Sequence, residues 1–510
     1  LLHIGRVGDD EKSETWRTVS TFPGVPEGTY ISDVDISRHH EDRLYVLMNG
    51  HKRGDFAPYV LVSDDLGASW RSLAASLPDG HAVWSIVEDT VDAKLLFLGT
   101  EFGLFFSRDA GERWTQLRGG LPTVAFRDLT MQDRDGDLVA GTFGRGFYIF
   151  DDVSVLRGLD ETMLQKDAHL FPVRDAWQFI EAQPNGWAPR GAQGNAFFVA
   201  SNPPYGAVFT YYLKDEILSR REARRQIERE QAKAGESVDV PSWDQLREED
   251  REEAPAIVLV VRSPDGEVVR RVPGKTGAGF HRVAWDLRFP SSEPYRRGAW
   301  SDPWSAPTVG PLALPGAYTV QLYRRLDGRL EALGESQGFT VKSLGLESLD
   351  GDRRELLDFQ QRVAALLRAV LASEQILNDG AERLNAMKAA LDATAGGDPS
   401  ALDQQLRDLE LRLGELRREL AGDATIRSRN EPVAPAILQR AQRAANGLWG
   451  STASPTATHR RQLDIARDAF QSMRGDIDAW LDDVERAGEA LEAAGGPWTP
   501  GRGVPAIENR

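Results

Sequence analysis

Cysteine is absent from the 510-residue sequence, which excludes disulfides, thiol nucleophiles and cysteine–metal sites. Long apolar runs are also absent, since no stretch approaches the roughly 20 apolar residues of a membrane helix. Basic residues are the minority: 61 Lys and Arg stand against 78 Asp and Glu, for a net charge of −17. This balance argues against nucleic acid as the main partner, because phosphate binding needs a basic surface. Hydrophobic residues make up 41% of the chain, and its length predicts about three domains.

An internal repeat organises the residues up to about 150. Ser63–Trp70 matches Ser107–Trp114 as S-x-D-x-G-x-x-W at a spacing of 44 residues, and a degenerate copy ends at Trp16. Short apolar segments bounded by Gly and Asp surround each copy, which is typical of the four-stranded blades of a β-propeller. The repeat suits a tight turn, since the carboxylate can accept backbone hydrogen bonds and the glycine can take a positive φ. The repeated positions are Ser63, Asp65, Gly67, Trp70, Ser107, Asp109, Gly111 and Trp114.

The repeat resembles the Asp-box, or BNR repeat, of sialidases, sortilin-type domains and large bacterial BNR proteins labelled glycosyl hydrolases. Gly141–Asp152 is similar to the sequence that ends the propeller in the last of these groups. The resemblance implies that the Asp-boxes are structural and lie away from the ligand face. Because about three blades cannot close a ring of about four to eight, we expect residues 1–152 to be the C-terminal blades of a partial propeller whose earlier blades precede Leu1.

A second domain is predicted for residues 153–342, where strand-like segments are separated by Pro–Gly turns. This pattern predicts a β-sandwich of immunoglobulin or fibronectin type. Trp285–Arg288 also resembles the Ig-like module that follows the propeller in those BNR proteins. A charged stretch at 214–253 interrupts the sandwich and predicts a solvated helical excursion, with a partner-binding arm as the alternative. The predicted strands are Gln193–Ala200, Ala207–Leu213, Ala256–Arg262, Phe280–Leu287 and Ala317–Tyr323.

Residues 343–510 are predicted to form an α-helical bundle or hairpin. Apolar residues three or four apart, from Phe359 to Val370 and from Leu402 to Leu413, predict buried helix stripes. We expect breaks at Asn378–Gly380, at 396–399 and at Ser454–Pro455, and a last helix that ends near Ala493. The predicted fold class is therefore multidomain, with β structure followed by α structure.

Motifs for metals and cofactors are weak. His39 and His40 are adjacent, and on a strand their side chains would point to opposite faces. Asp133–Asp137 resembles the start of a calcium loop, but Gly144 stands where the bidentate glutamate is needed, so a hairpin turn explains the segment better. A weak surface calcium site stays open as an alternative. We expect no metal and no cofactor, since phosphate-loop and G-x-S-x-G patterns are also absent.

Blade topology limits where a ligand could bind. The Asp-box joins the third and fourth strands, so the turn between the second and third strands lies at the opposite end, where propellers place ligand sites. The residues expected at that end include cations and one carboxylate, but not the carboxylate pair that glycoside hydrolysis requires. These residues are interpreted either as ordinary polar residues at loop tips or as part of a ligand-facing rim whose remainder lies on other blades. The residues expected at that end are His51, Arg53, Glu101, Arg127 and Arg145.

Three functional hypotheses follow. The first is a non-catalytic binding or interaction protein with a carbohydrate, peptide or protein ligand, and the resemblance implies a secreted or periplasmic location. The second is a glycoside hydrolase, sialidase- or xyloglucanase-like, whose catalytic carboxylates lie on blades upstream. The third is a sortilin-like peptide-binding propeller, which the absence of cysteine disfavours. Fold alone does not decide among them.

Overall fold

A computed structural model describes residues 1–6, 15–181, 200–238, 240–294, 309–344, 351–396 and 398–504. Its N-terminal part consists of antiparallel sheets that follow one another along the chain, in the orders β1-β2, β3-β4-β5-β6, β7-β8-β9-β10 and β11-β12-β13. This up-and-down order of short strands is that of propeller blades. The strands are β1 (Leu2–Arg6), β2 (Thr15–Val19), β3 (Tyr30–Ile36), β4 (Leu44–Asn49), β5 (Tyr59–Ser63), β6 (Arg71–Ser72), β7 (Val83–Glu88), β8 (Leu96–Thr100), β9 (Gly103–Ser107), β10 (Thr115–Leu117), β11 (Phe126–Gln132), β12 (Asp137–Thr142) and β13 (Phe147–Phe150).

Apolar side chains between successive sheets form the core of this region. Tyr45 of β4 and Ile86 of β7 belong to one buried cluster, and Phe97 of β8 and Phe126 of β11 belong to the next. The sheets approach closely at Gly99, where a Cβ atom would lie 2.5 Å from the carbonyl oxygen of Phe126. Only glycine fits such an approach without displacing the backbone.

The two full repeats form matching loops between the third and fourth strands of their sheets. The Ser63 hydroxyl donates to Asp65 (2.8 Å) and accepts the N–H of Gly67 (2.7 Å). Gly67 has a φ of +77°, as the turn requires. The Trp114 indole N–H donates to the carbonyl of Leu73 in the preceding sheet (2.8 Å), so the second loop is fastened to its neighbour. The same loop contacts recur at Ser107, Asp109 and Gly111.

Two further sheets, in the orders β14-β16-β19 and β15-β22-β20-β17-β18 with β21 on β20, share one buried core. The predicted strands Ala207–Leu213 and Ala256–Arg262 are confirmed, whereas Gln193–Ala200 lies, apart from Ala200, outside the described residues. The charged excursion contains two helices, as predicted. The elements are α1 (Ser154–Arg157), α2 (Glu161–Leu164), β14 (Ala168–Leu170), β15 (Ala176–Gln178), β16 (Ala207–Leu213), α3 (Arg220–Ala234), α4 (Trp243–Arg251), β17 (Ala256–Arg262), β18 (Val268–Gly274), β19 (Gly279–Trp285), β20 (Gly316–Leu326), β21 (Arg329–Ala332) and β22 (Gln337–Ser343).

Helices around one apolar core form the C-terminal region. The predicted break at Asn378–Gly380 is wrong, because the first of these helices continues through it. The fully buried ring of Trp480 packs where a Cβ of Gly380 would lie, at 2.3 Å, so this glycine serves close packing and not a turn. Among the described residues, no helix combines the length and apolarity needed to span a bilayer. The helices are α5 (Arg353–Leu391), α6 (Pro399–Ala421), α7 (Ala424–Arg427), α8 (Ile437–Trp449) and α9 (Ala457–Ala493).

The series of N-terminal sheets ends in two apolar faces. At one end Trp16, Tyr30 and Ile36 are 58%, 68% and 62% exposed. At the other end Phe147 and Ile149 of β13 are 80% and 59% exposed. Large apolar side chains are thus exposed at both ends of the series of sheets.

Candidate functional site

Three turns lie at the end of the sheets opposite the repeat loops. They join β4 to β5 (residues 50–58), β8 to β9 (101–102) and β12 to β13 (143–146). The repeat loops join β5 to β6 and β9 to β10. Because neighbouring strands are antiparallel, the three turns lie one strand length away from these loops, at the other end of the sheets. We call these three turns and the strand ends beside them the rim. All of the predicted ligand-face residues, His51, Arg53, Glu101, Arg127 and Arg145, belong to it.

Trp84, the second residue of β7, lies at the centre of a rim cluster. Its indole N–H donates to Glu101 Oε2 at 2.8 Å, and Cζ of Arg127 lies 3.3 Å from the centre of its ring. The His51 ring meets Trp84 edge-on, with 5.1 Å between the ring centres. The structure thus brings together three of the predicted residues from three sheets around a fourth residue that is absent from the predicted set.

Stacking holds the Arg127 side chain in place. Its guanidinium also lies 5.0 Å from the ring centre of Phe143, on the β12–β13 turn. Among the described residues Glu101 is its ionic partner, at 3.7 Å, and Nε is buried without an acceptor. The side chain keeps 33% of its surface exposed. An arginine held by ring faces is already oriented, so its N–H groups can bind an added anionic group.

Asn49, the last residue of β4, orients the His51 ring. Its Nδ1 lies 2.5 Å from Asn49 Oδ1, and Asn49 Nδ2 donates to the carbonyl of Val83 (3.0 Å). Because a carboxamide oxygen only accepts, the Nδ1 atom carries the proton of this contact. Asn49 is buried, so this network fixes the ring of His51 against Trp84.

The other two predicted residues, Arg53 and Arg145, stand apart from this cluster. Arg53 Nη1 donates to the carbonyl of Glu27 at 2.9 Å. Arg145 lies in the exposed β12–β13 turn, where its backbone N–H donates to the Thr142 hydroxyl at 3.1 Å. Among the described residues, no contact joins either side chain to Trp84.

Each of the three turns also exposes a phenylalanine ring. Phe56, Phe102 and Phe143 are 45%, 45% and 70% exposed. The rim therefore presents apolar ring faces beside the Arg127 guanidinium. Exposed aromatic rings and arginines are enriched where proteins bind partners.

A second group of polar residues, also absent from the predicted set, lies on the inner strands β3 and β7. Burial, together with the charges of Asp33 and Glu88, raises the pKa of Asp35 to about 6. Glu88 is almost fully buried and accepts the Tyr45 hydroxyl at 3.1 Å. Asp35 pairs with Tyr45 and Glu88 with Leu96, near the repeat-loop end of the strands. These carboxylates therefore lie away from the rim.

The weak metal motifs have other contacts in the structure. His39 Nε2 lies 2.8 Å from the carbonyl oxygen of Asp89. The segment Asp133–Asp137 forms the predicted hairpin turn between β11 and β12, and Asp137 accepts a hydrogen bond from Arg174 at 3.0 Å. Within the described ranges, no group of three potential metal ligands converges.

No protein family and no curated protein matches the chain. Among solved structures it is similar to the extracellular domain of a hybrid two component system of B. thetaiotaomicron, with 8% identity over 61% of this chain and 32% of that one, at a TM-score of 0.21. It is also similar to a GH74 xyloglucanase from Xanthomonas campestris (13% identity, 59% and 38% coverage, TM-score 0.20). A third is YCF48 bound to D1 peptide (13% identity, 64% and 71% coverage, TM-score 0.20).

The chain covers 32% and 38% of the first two of these proteins. TM-scores near 0.2 are too low to carry fold or function from one protein to another. The propeller-type description therefore depends on the sheet orders and the matching loops, and the function depends on the site itself.

Proposed function

We propose that this chain is part of a non-catalytic recognition protein, extracytoplasmic in location, that binds its ligand at the rim of an Asp-box β-propeller. The observation that carries the proposal is Arg127, which stacks on Trp84 beside Phe143 and whose ionic partner among the described residues is Glu101, at 3.7 Å. A guanidinium that is oriented in advance loses little freedom on binding an anion.

The two exposed apolar faces support a longer propeller. Phe147 and Ile149 at one end, and Tyr30 and Ile36 at the other, have the exposure expected of blade faces that lack a neighbouring blade. We propose residues 1–152 as blades of a ring that further sheets of the same fold complete. The boundaries at 152 and 342 are part of this proposal.

An immunoglobulin-like module after the propeller has its own support. Trp285 is buried against Tyr318, with 5.2 Å between the ring centres. The Tyr318 hydroxyl donates to the carbonyl of Leu314, four residues upstream, at 2.7 Å. A buried tryptophan and a tyrosine bonded back to the preceding backbone are both features of immunoglobulin-like sandwiches.

The ligand chemistry follows from what the rim offers. Phe102 and Phe143 present ring faces, and Arg127 presents donors for an anion, so the fitting ligand combines an apolar ring face with a carboxylate. An acidic oligosaccharide has both. The chain as a whole carries a net charge of −17, so such a ligand would be repelled from most of the surface and held where a cation is available.

Isothermal titration calorimetry with oligogalacturonate tests the proposal. We expect binding by the wild-type chain and a loss of about tenfold or more in Arg127→Met, since a hydrogen bond to a charged group contributes about 1.5–3 kcal/mol. Arg38→Met is the matched control, because Arg38 is an exposed arginine near the repeat-loop end, paired with Asp133. Equal affinity for a neutral oligosaccharide, preference for an acidic peptide, or equal losses in both variants would contradict the proposal.

A glycoside hydrolase site within this chain, and not on blades upstream, has one observation in its favour. A carboxyl with a pKa near 6, as at Asp35, suits a general acid, and Asp33 is a second carboxyl nearby. Release of reducing sugar from a polysaccharide by the wild-type chain, abolished in Asp35→Asn, would replace the binding proposal with this one.

A further inference from the structure

A groove of about 330 Å³ lies at the edge of the two-sheet region, away from the rim. One side is β15, the outer strand of its sheet, together with the residues that follow it. The other side is the chain that enters β16. Side chains of three aromatic residues and two prolines line the groove: Trp177, Phe179, Pro203, Pro204 and Tyr205. We call this the edge groove.

Three aromatic rings line the edge groove. Phe179 and Tyr205 are perpendicular to each other, with 5.0 Å between the ring centres, and Phe179 is 41% exposed. Trp177 is held with its indole N–H 3.4 Å from Asp135 Oδ1, in the turn between β11 and β12. The three rings are therefore fixed by neighbouring structure and do not depend on a ligand for their positions.

Most of the polar atoms in the groove already have partners. The Tyr205 hydroxyl donates to the carbonyl of Phe179 (2.8 Å) and accepts its N–H (3.2 Å). Asp175 pairs with Lys342 at 2.7 Å, and Arg174 donates to the carbonyl of Asp135 at 2.8 Å. A ligand here meets ring faces and few free hydrogen-bonding groups, so a ligand with many unsatisfied donors would lose affinity.

Glu181 and Asn202 also line the groove, and the charge of Glu181 acts on Arg288 nearby. Glu181 is exposed and, among the described residues, has no salt bridge at 4.0 Å or less. Its carboxylate can therefore attract a cation on a ligand that lies against the rings.

We propose that the edge groove binds an extended, proline-rich peptide segment that carries a basic residue next to its prolines. Proline has no backbone N–H, so a run of prolines brings few donors into a groove that offers few acceptors. Its polyproline II conformation forms before binding and is favoured in aromatic-lined grooves. The adjacent Arg or Lys would pair with Glu181, which sets the direction of the bound peptide.

Isothermal titration calorimetry with a synthetic peptide of consecutive prolines followed by arginine tests this inference. We expect the wild-type chain to bind it with a dissociation constant below about 1 mM, the weak end of the affinity scale. Phe179→Ala should weaken binding by about tenfold or more. Glu181→Gln should weaken binding of this peptide and leave a peptide of prolines without arginine unaffected. Trp243→Ala is the control, because Trp243 is a highly exposed aromatic residue on α4.

Hydrogen exchange on the wild-type chain provides a readout that does not depend on any variant. The peptide should slow exchange in residues 174–181 and leave the rim turns unchanged. Three results would overturn the inference: no binding up to about 1 mM peptide, equal losses in Phe179→Ala and Trp243→Ala, or tight binding of tetramethylammonium without binding of the peptide. The last result would instead identify an aromatic cage for cations.

Discussion

Asp35 gives the N-terminal sheets a stability that depends on pH. Its pKa, about 6, lies above the ordinary 3.8 because the carboxyl is buried near Asp33 and Glu88. Below about pH 4 the carboxyl is protonated in both the folded and the unfolded chain, and the shift has no effect. As the pH rises from about 4 to 6, the unfolded chain releases this proton first, so the free energy of unfolding falls; above about pH 6 the loss is complete.

The size of this loss follows from the shift. About two pKa units correspond to about 3 kcal/mol, and because the side chain is only partly buried, solvent screening reduces this to roughly 1–2 kcal/mol. Asp35→Asn removes the ionisation and keeps the side-chain shape. We therefore expect the variant to be more stable than the wild type by roughly 1–2 kcal/mol at about pH 8, and by much less at about pH 4.

Urea unfolding at both pH values, followed by tryptophan fluorescence, measures the difference as a shift in the transition midpoint at unchanged slope. Asp128→Asn removes the same charge from an exposed position on β11, so it measures the general effect of one charge on this acidic chain. If Asp35→Asn raised stability equally at both pH values, or no more than Asp128→Asn did at about pH 8, the argument from burial and neighbouring carboxylates would be refuted.

The remaining predictions concern packing and flexibility. Ser63→Ala should lower the free energy of unfolding by roughly 1–3 kcal/mol, because it leaves buried loop N–H groups without an acceptor; urea unfolding measures it. Gly380→Ala should destabilise the helical region through contact with Trp480, whereas Gly414→Ala, with open space around it, should stabilise it by about 0.5–1 kcal/mol; thermal unfolding followed by circular dichroism separates the two. Limited proteolysis should cut first within residues 214–253, which carry no core side chains on α3; initial cuts inside the sheets would contradict this.

Local chemistry explains what could be predicted from the sequence. The contacts of Ser63, Asp65 and Gly67 lie within a few residues, so the repeated letters S, D and G indicate the loop directly. Antiparallel topology then places the turns that carry His51 and Glu101 at the opposite end.

Other features depend on contacts between distant residues. Trp84 lies within a strand and carries no motif; only the pairing of β7 with β8 places it beside Glu101. In the sequence, the signal for Trp84 is its place at the start of β7. Its neighbour Val83 pairs with Thr100 at the end of β8, so a large ring at position 84 lies beside the β8–β9 turn. Gly380 is the reverse case. The segment Asn378–Gly380 is typical of a turn, but packing against Trp480, 100 residues away in the chain, keeps the helix continuous. Packing of this kind overrides local preference.

Side chains at the two ends of the sheets contact different kinds of groups, and this difference affects how freely each end can change in sequence. At the repeat-loop end, Ser63 and Ser107 satisfy backbone groups of their own loops, so a substitution there removes stabilising contacts. At the rim, Trp84 and Glu101 of one sheet and Arg127 of the next contact one another through side chains, which can change while the strand pairing persists. Side chains at an end whose backbone is secured elsewhere can vary at low cost in stability, which agrees with our proposal that the ligand binds at the rim.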